Sequence, residues 1–140
     1  MAKLIAGSEI NQLPHQPPMR LVEELVELMP GVVARTRRTT RQEDWYFQGH
    51  FPDEPLVPAI VLIELLAQTG GLAVGPTQRR LRVAAVGGFK FLASVGPGST
   101  LDVVARVTGR FGSMLKVEGE ISVDGHRIAA GSVTLAEVLF

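Results

Sequence analysis

No cysteine occurs anywhere in the 140 residues. That excludes a disulfide scaffold, a thiolate nucleophile and cysteine-ligated zinc or iron–sulfur centres, and it fits a cytosolic chain without requiring one. Net charge is missing as well, because 14 basic side chains balance 14 acidic ones. With no global field to gather polyanions, neither nucleic acid nor an anionic membrane surface is an expected partner. Long hydrophobic runs are also absent. The longest, Leu56 to Val74, is broken by Pro58, Glu64, Gln68 and two glycines, and it falls short of the roughly 20 uncharged apolar residues of a membrane span. Membrane insertion is therefore not expected. Met1 to Gly7 offers too few apolar residues before Ser8 and Glu9 for a signal-peptide core. Export is not expected either, and a cytoplasmic location is. There are no repeats and no low-complexity tracts, and the length suits a single domain, residues 1–140, with a real core.

What is present is an ordered series of short elements. The segment Ser8 to Leu13 leads into Pro14-His15-Gln16-Pro17-Pro18, where three prolines rule out regular helix and predict a structured loop. Met19 to Met29 reads as a strand closed by a turn at Pro30-Gly31, and Val32 to Thr40, with Arg35 and Arg37 alternating, as a half-exposed strand. Ala59 to about Ala73 is the predicted helix, since Pro58 suits a first turn and Gly75-Pro76 ends it. Apolar nearly all round, this helix is expected to be enclosed on every side. Gly70 and Gly71 within it are expected to let another backbone approach. The remainder reads as strands over Leu81 to Val86, Gly88 to Val95, Thr100 to Val107, Ser113 to Val123 and Arg127 to Leu135, with turns at Gly96-Pro97-Gly98 and Asp124-Gly125. Asp-Gly between alternating apolar residues predicts a two-residue hairpin. The fold class is α+β, a sheet wrapped around a helix.

Chemistry concentrates between Gly49 and Gln68. Glu64 is a lone carboxyl in a run of Ile, Val, Leu and Ala, with nothing nearby in sequence to neutralise it. An unpaired carboxylate in such a place raises its pKa and takes up a proton, which makes a general acid. Periodicity alone leaves two readings open, a carboxyl satisfied by a buried partner and a catalyst. His50, beside Phe51 and Pro52, is either a structural loop histidine or a base, an imidazole of unperturbed pKa about 6.5 being able to act as one at pH 7. Gln68, one turn beyond Glu64, can hydrogen-bond the acid and orient it. His15 is a candidate for lining the same pocket, whereas His126 follows the hairpin turn and reads as a solvated surface residue. Phe89 and Phe91 either shape a tunnel or pack in the core. Gly87-Gly88 lacks the setting of a phosphate cradle and marks a bulge. Arg79, Arg80 and Arg82 form a basic cluster that is either solvated surface or a docking site for an acidic partner.

The series Gly49-His50-Phe51-Pro52, Pro55-Leu56-Val57-Pro58-Ala59 and Glu64-Leu65-Leu66-Ala67-Gln68 resembles the hallmark of the β-hydroxyacyl-acyl-carrier-protein dehydratases of the hotdog fold. Leu13-Pro14-His15 with Leu21-Val22, Lys90-Phe91 with Val95 and Pro97-Gly98, and Val123-Asp124-Gly125 extend the resemblance over most of the chain. The resemblance implies a long central helix wrapped by a curved antiparallel sheet and a homodimer whose subunits join through their sheets. It further implies active sites shared across that interface, and assembly of dimers into a homohexamer as a trimer of dimers. It makes His50, from one subunit, and Glu64, from the other, the catalytic pair. Pro58, Ala59, Gln68, His15, Phe51, Phe89 and Phe91 are the accompanying substrate-binding candidates. Glutamate at position 64 resembles the branch of broad chain length rather than the branch that also isomerises the double bond. The chain departs from the family pattern at Ala59, where glycine is usual, at Leu92-Ala93 in place of a basic pair, and at Glu23-Glu24 in place of Asp-Arg.

Dehydration of a 3-hydroxyacyl thioester needs a base for the carbon-2 proton, an acid for the departing hydroxyl and a donor for the enolate-like oxygen. His50, Glu64 and the free N–H groups at the start of the helix, Ala59 among them, are the candidates in turn. The reaction calls for no metal or organic cofactor, and the implied partner is an acyl carrier protein bearing the substrate. Two other readings stand beside this one. One is a hotdog thioesterase or hydratase acting on coenzyme A thioesters; the other is a non-catalytic acyl-binding or assembly subunit.

Overall fold

Small or apolar side chains alternating with arginines make the second strand half buried, with Ala34, Thr36 and Arg38 inward and Arg35 and Arg37 exposed. The computed structural model describes residues 13–76 and 80–138. The expectations for Met1 to Gly7, for Ser8 to Gln12 and for Arg79 lie outside the described residues. Six strands, β1 (Glu24–Met29), β2 (Val33–Thr39), β3 (Arg80–Phe91), β4 (Thr100–Phe111), β5 (Met114–Val123) and β6 (His126–Val138), form one antiparallel sheet in the order β1-β2-β4-β5-β6-β3. One long helix, α1 (Ala59–Val74), lies on it, chiefly over β4 and β2. The arrangement is the hotdog fold.

The inward rows are apolar because every second residue is: Leu115, Val117 and Ile121 on β5 face Leu135, Val133 and Ala129 on β6. Leu62, Leu65, Leu66 and Leu72 of α1 press into them, each such side chain contributing roughly 1.5–3 kcal/mol on burial. Within these rows Gly119 lies directly opposite Gly131. A Cβ at Gly119 would collide with the Val104 carbonyl and the Leu66 side chain, and one at Gly131 with the Phe89 ring. The two glycines thus form a depression that seats Leu66 and Phe89. The rotation of α1 is fixed by a buried hydroxyl pair. Thr69 donates to the Leu65 carbonyl (2.9 Å), so Thr36 of β2 donates to Thr69 (2.8 Å). At Asp124-Gly125 both residues have positive φ, +49° and +79°, the backbone of the expected two-residue hairpin.

The structure corrects the sequence reading at several points, each for a local reason. The strand expected from Met19 begins only at Glu24, because the Leu21 and Val22 N–H groups are engaged by the Gln68 side chain instead of a neighbouring strand. Leu81 to Val86 and Gly88 to Val95 are not two strands. A single β3 crosses both and ends at Phe91, with a register shift between Gly87 and Lys90 that bears out the expected bulge. Gly70 admits a side chain, Val117, rather than another backbone. Pro58 caps α1 from just outside its first turn.

The helix is also not enclosed on every side. Ile60 is 73% exposed, since a single chain supplies one sheet and leaves the opposite flank of α1 uncovered. No helix among the described residues is long and apolar enough to cross a membrane.

The Gly119–Gly131 depression generates a test. Gly119→Ala should destabilise the fold by about 1–3 kcal/mol through overpacking, read as a lower midpoint in chemical denaturation; an unchanged midpoint would contradict the packing described.

Candidate active site

Helical spacing brings Glu64, Ala67, Gln68 and Gly71 to one stripe of α1. Gln68, only 1% exposed, uses its whole amide. Its Oε1 accepts from the N–H groups of Leu21 (2.9 Å) and Val22 (3.5 Å), and its Nε2 donates to the Met19 carbonyl (2.7 Å) and to Glu64 Oε1 (3.1 Å). Two acceptances and two donations exhaust what the group can make. The stretch from Met19 to Val22 is thereby fastened to the helix, and one oxygen of Glu64 is fixed in place.

The proline-rich loop puts His15 on the other side of that oxygen. Arg20 holds the loop by donating from Nε to the His15 carbonyl (3.0 Å) and from Nη2 to the Leu13 carbonyl (3.1 Å). His15 Nε2 then lies 3.4 Å from Glu64 Oε1. Both side chains line a cavity of about 660 Å³ between α1 and the start of β3, together with Leu13, Gly71, Leu81 and Leu135. Arg80 and Arg82 stand at the same cavity.

These contacts correct the expected charge state of Glu64. Burial does push its carboxyl up, and that is the largest single influence. The hydrogen bonds from His15 and Gln68 and the attraction of His15 together outweigh it, so the pKa lies below the usual glutamate value. The acid is not unpaired, as the sequence reading held; its partner is His15, 49 residues away and invisible to local periodicity.

His50 sits elsewhere. It follows a short 3-10 helix, Trp45–Phe47, and is half-buried. Its carbonyl accepts from the Leu56 N–H (2.8 Å), while its Nδ1 lies 3.1 Å from the Leu56 carbonyl. A carbonyl can only accept, so Nδ1 carries the proton and Nε2 is left as the basic nitrogen. The imidazole stacks on Phe51, centroids 4.3 Å apart. Pro58 and Ala59 are at the start of α1, where the Pro58 carbonyl accepts from Val61 (3.0 Å) and no side chain caps the helix. Neither His50, Phe51, Pro58 nor Ala59 lines the cavity of Glu64. Phe89 packs in the core over Gly131 and stacks on Phe91, centroids 5.7 Å apart, and Phe91 is exposed; neither lines that cavity. One chain therefore unites His15, Glu64 and Gln68 and holds His50 apart from them. Among the described residues, no group of three or more His, Asp or Glu side chains is placed to hold a metal ion.

The sequence reading missed a buried cluster on the segment that leads to His50. Arg38 of β2 donates from Nη2 to Asp44 Oδ1 (3.0 Å), from Nε to the Tyr46 hydroxyl (3.1 Å) and from Nη1 to the Leu21 carbonyl (2.9 Å). Tyr46 in turn donates to Asp44 Oδ2 (2.8 Å). Burial pushes the Tyr46 phenol up to about 12, so it remains a donor. Burial also pushes Asp44 up, but the Arg41 N–H, Tyr46 and Arg38 hold it below the usual carboxylate value. The available signal was parity: Arg38 follows Ala34 and Thr36 at intervals of two, on the inward face.

The His15–Glu64 contact predicts that His15→Ala raises the Glu64 pKa, because the desolvation remains and the chief opposing hydrogen bond is lost. Carboxyl-carbon NMR titration of Glu64 reads this directly, and a constant or lower pKa would contradict the assignment.

Comparison with known proteins places these residues in a wider set. Residues 13–132 match the FabA-like domain. The chain is 36% identical over 136 residues to a 3-hydroxyacyl-[acyl-carrier-protein] dehydratase FabZ of Natranaerobius thermophilus, covering 94% of this chain and 96% of that one. It is 31% identical over 131 residues to the FabZ of Myxococcus xanthus, covering 89% and 86%. Among solved structures, the dehydratase heterocomplex ApeI:P from Xenorhabdus doucetiae is similar in fold, with a TM-score of 0.81 at 19% identity over 93% of this chain and 91% of that one. His50, Glu64 and Gln68 all fall within the matched span, and the chain belongs to the FabA-like domain family.

Proposed function

We propose that this protein is a dehydratase that converts 3-hydroxyacyl thioesters on acyl carrier protein to trans-2-enoyl thioesters in fatty-acid synthesis. The observation that carries the reading is that the chain presents both a histidine whose Nδ1 is committed to the Leu56 carbonyl and, apart from it, a glutamate anchored at a cavity by Gln68. FabZ relatives at 31% and 36% identity support it.

His50 Nε2 removes the carbon-2 proton as the C–H bond breaks. The electron pair moves through the enolate-like thioester oxygen, which the N–H groups opening α1 at Ala59 stabilise. Collapse expels the 3-hydroxyl, which leaves as water with the proton of Glu64, and His50 returns the abstracted proton to Glu64 through solvent. Glu64 must therefore be protonated in the loaded site. In the single chain the contacts of His15 and Gln68 hold its pKa below the usual value against the pull of burial; covering it with a second subunit and an acyl chain would add desolvation, which acts in the direction of protonation.

The two halves meet in a homodimer. β3 is an edge strand twelve residues long, and Val83, Val86, Phe91 and Leu92 are exposed along and beyond it, with Ile60 on the uncovered flank of α1. A long apolar edge of this kind calls for a partner. Joining two β3 edges supports a site built from His50 of one subunit and Glu64 of the other. Arg80 and Arg82 at the Glu64 cavity supply positive charge for an acidic carrier protein.

Two tests follow from this reading. His50→Ala and Glu64→Gln should each lower kcat by about 10²–10⁴-fold, the usual contribution of a general base or acid, with the protein still folded by circular dichroism. Near-normal turnover in either variant would refute the roles. Val86→Glu on the β3 edge should give a monomer by light scattering and abolish activity, whereas an active, intact dimer would exclude β3 as the interface.

A further inference from the structure

The Arg38 cluster reaches both halves of the catalytic apparatus carried by one chain. On one side, Asp44 and Tyr46 belong to the segment that leads to His50. Asp44 Oδ2 accepts the Arg41 N–H (2.9 Å), the Asp44 carbonyl accepts the Phe47 N–H (3.1 Å), and the Phe47 carbonyl accepts the His50 N–H (3.4 Å). On the other side, the Leu21 peptide that accepts from Arg38 Nη1 gives its own N–H to Gln68, and Gln68 holds Glu64. The guanidinium is the junction of the two chains of hydrogen bonds, and it lies on the inward face of β2, 8% exposed.

We propose that Arg38 is a positioning residue for both His50 and Glu64. A planar fork suits this task because its three nitrogens are aimed at three groups on two segments, Asp44 and Tyr46 on one and Leu21 on the other, which a single ammonium cannot reproduce. In the shared-site reading, on which the proposal rests, His50 and Glu64 of one chain serve different active sites. One Arg38 therefore sets the geometry of half of each site in the dimer.

The test uses mixed dimers. A chain carrying His50→Ala and a chain carrying Glu64→Gln, each inactive alone, together rebuild one intact site from His50 of the second and Glu64 of the first. Arg38→Lys is then placed on either chain. Lysine keeps a positive charge beside Asp44, so the fold is spared a buried unpaired carboxylate. The expected result is a drop in kcat of about tenfold or more in both arrangements, the scale of a modest misplacement of reacting groups, with KM little changed. The emission of Trp45, the one tryptophan of the chain, which donates to the Pro18 carbonyl (3.1 Å), should shift in the same variant.

Losses no larger than those given by Arg106→Lys, which touches only the outer-face pair with Glu120, would overturn the proposal. A loss in only one arrangement would overturn its claim on both halves. If the parental mixture itself recovers no activity, the shared-site reading fails, and the proposal falls with it.

Discussion

A single buried amide has to be satisfied for the rest of the site to exist. Gln68 sits in the apolar interior of the helix, where each of its polar atoms would be costly without a partner. Its solution is to take two backbone N–H groups and one carbonyl from the stretch Met19 to Val22, and to spend its remaining donor on Glu64. The irregular start of the first strand, the course of the proline-rich loop and the position of His15 over Glu64 all follow from that arrangement. So does the pKa of Glu64, which these neighbours hold below the ordinary glutamate value against the opposite pull of burial.

The same economy explains why one chain looks unfinished. Glu64 opens on a cavity beside β3, His50 is held by Leu56 away from that cavity, and Ile60 at the start of α1 is bare. An edge strand of twelve residues with exposed valines is unlike the blunted edges of self-sufficient sheets. By contrast, the outer face of the sheet is neutralised within itself by pairs such as Arg37–Asp102, Arg35–Glu27 and Arg106–Glu120. Exposed apolar side chains run along the β3 edge and stand on the flank of α1, and others, Phe111 and Met114 among them, stand at the β4–β5 turn.

Much of this was legible in the sequence because it depended on local rules. The helix from Ala59, the bulge at Gly87-Gly88 and the Asp124-Gly125 hairpin each rest on propensities read within a few residues; the α+β class follows from them, and the hotdog fold from the family resemblance. What escaped depended on contacts between distant segments. The Gln68 bond to Glu64 follows from helical spacing and is legible in the sequence, but His15 is brought onto Glu64 by the clamp of Arg20 on the loop carbonyls, which leaves no periodic trace. Arg38 was overlooked beside Arg35 and Arg37 because composition counts an arginine as surface, although its parity placed it inside. The uncovered flank of α1 was read as buried since an apolar helix implies a cover without saying which chain provides it.

Loss of water from a carrier-bound 3-hydroxyacyl chain is read directly by mass spectrometry. A short 3-hydroxyacyl thioester is offered to the purified protein on acyl carrier protein and, in parallel, on coenzyme A. The expected product is an enoyl thioester lighter by one water on the carrier protein, formed faster than on coenzyme A; that result supports a carrier-protein dehydratase. Release of free acid, or no reaction on either carrier, would contradict it.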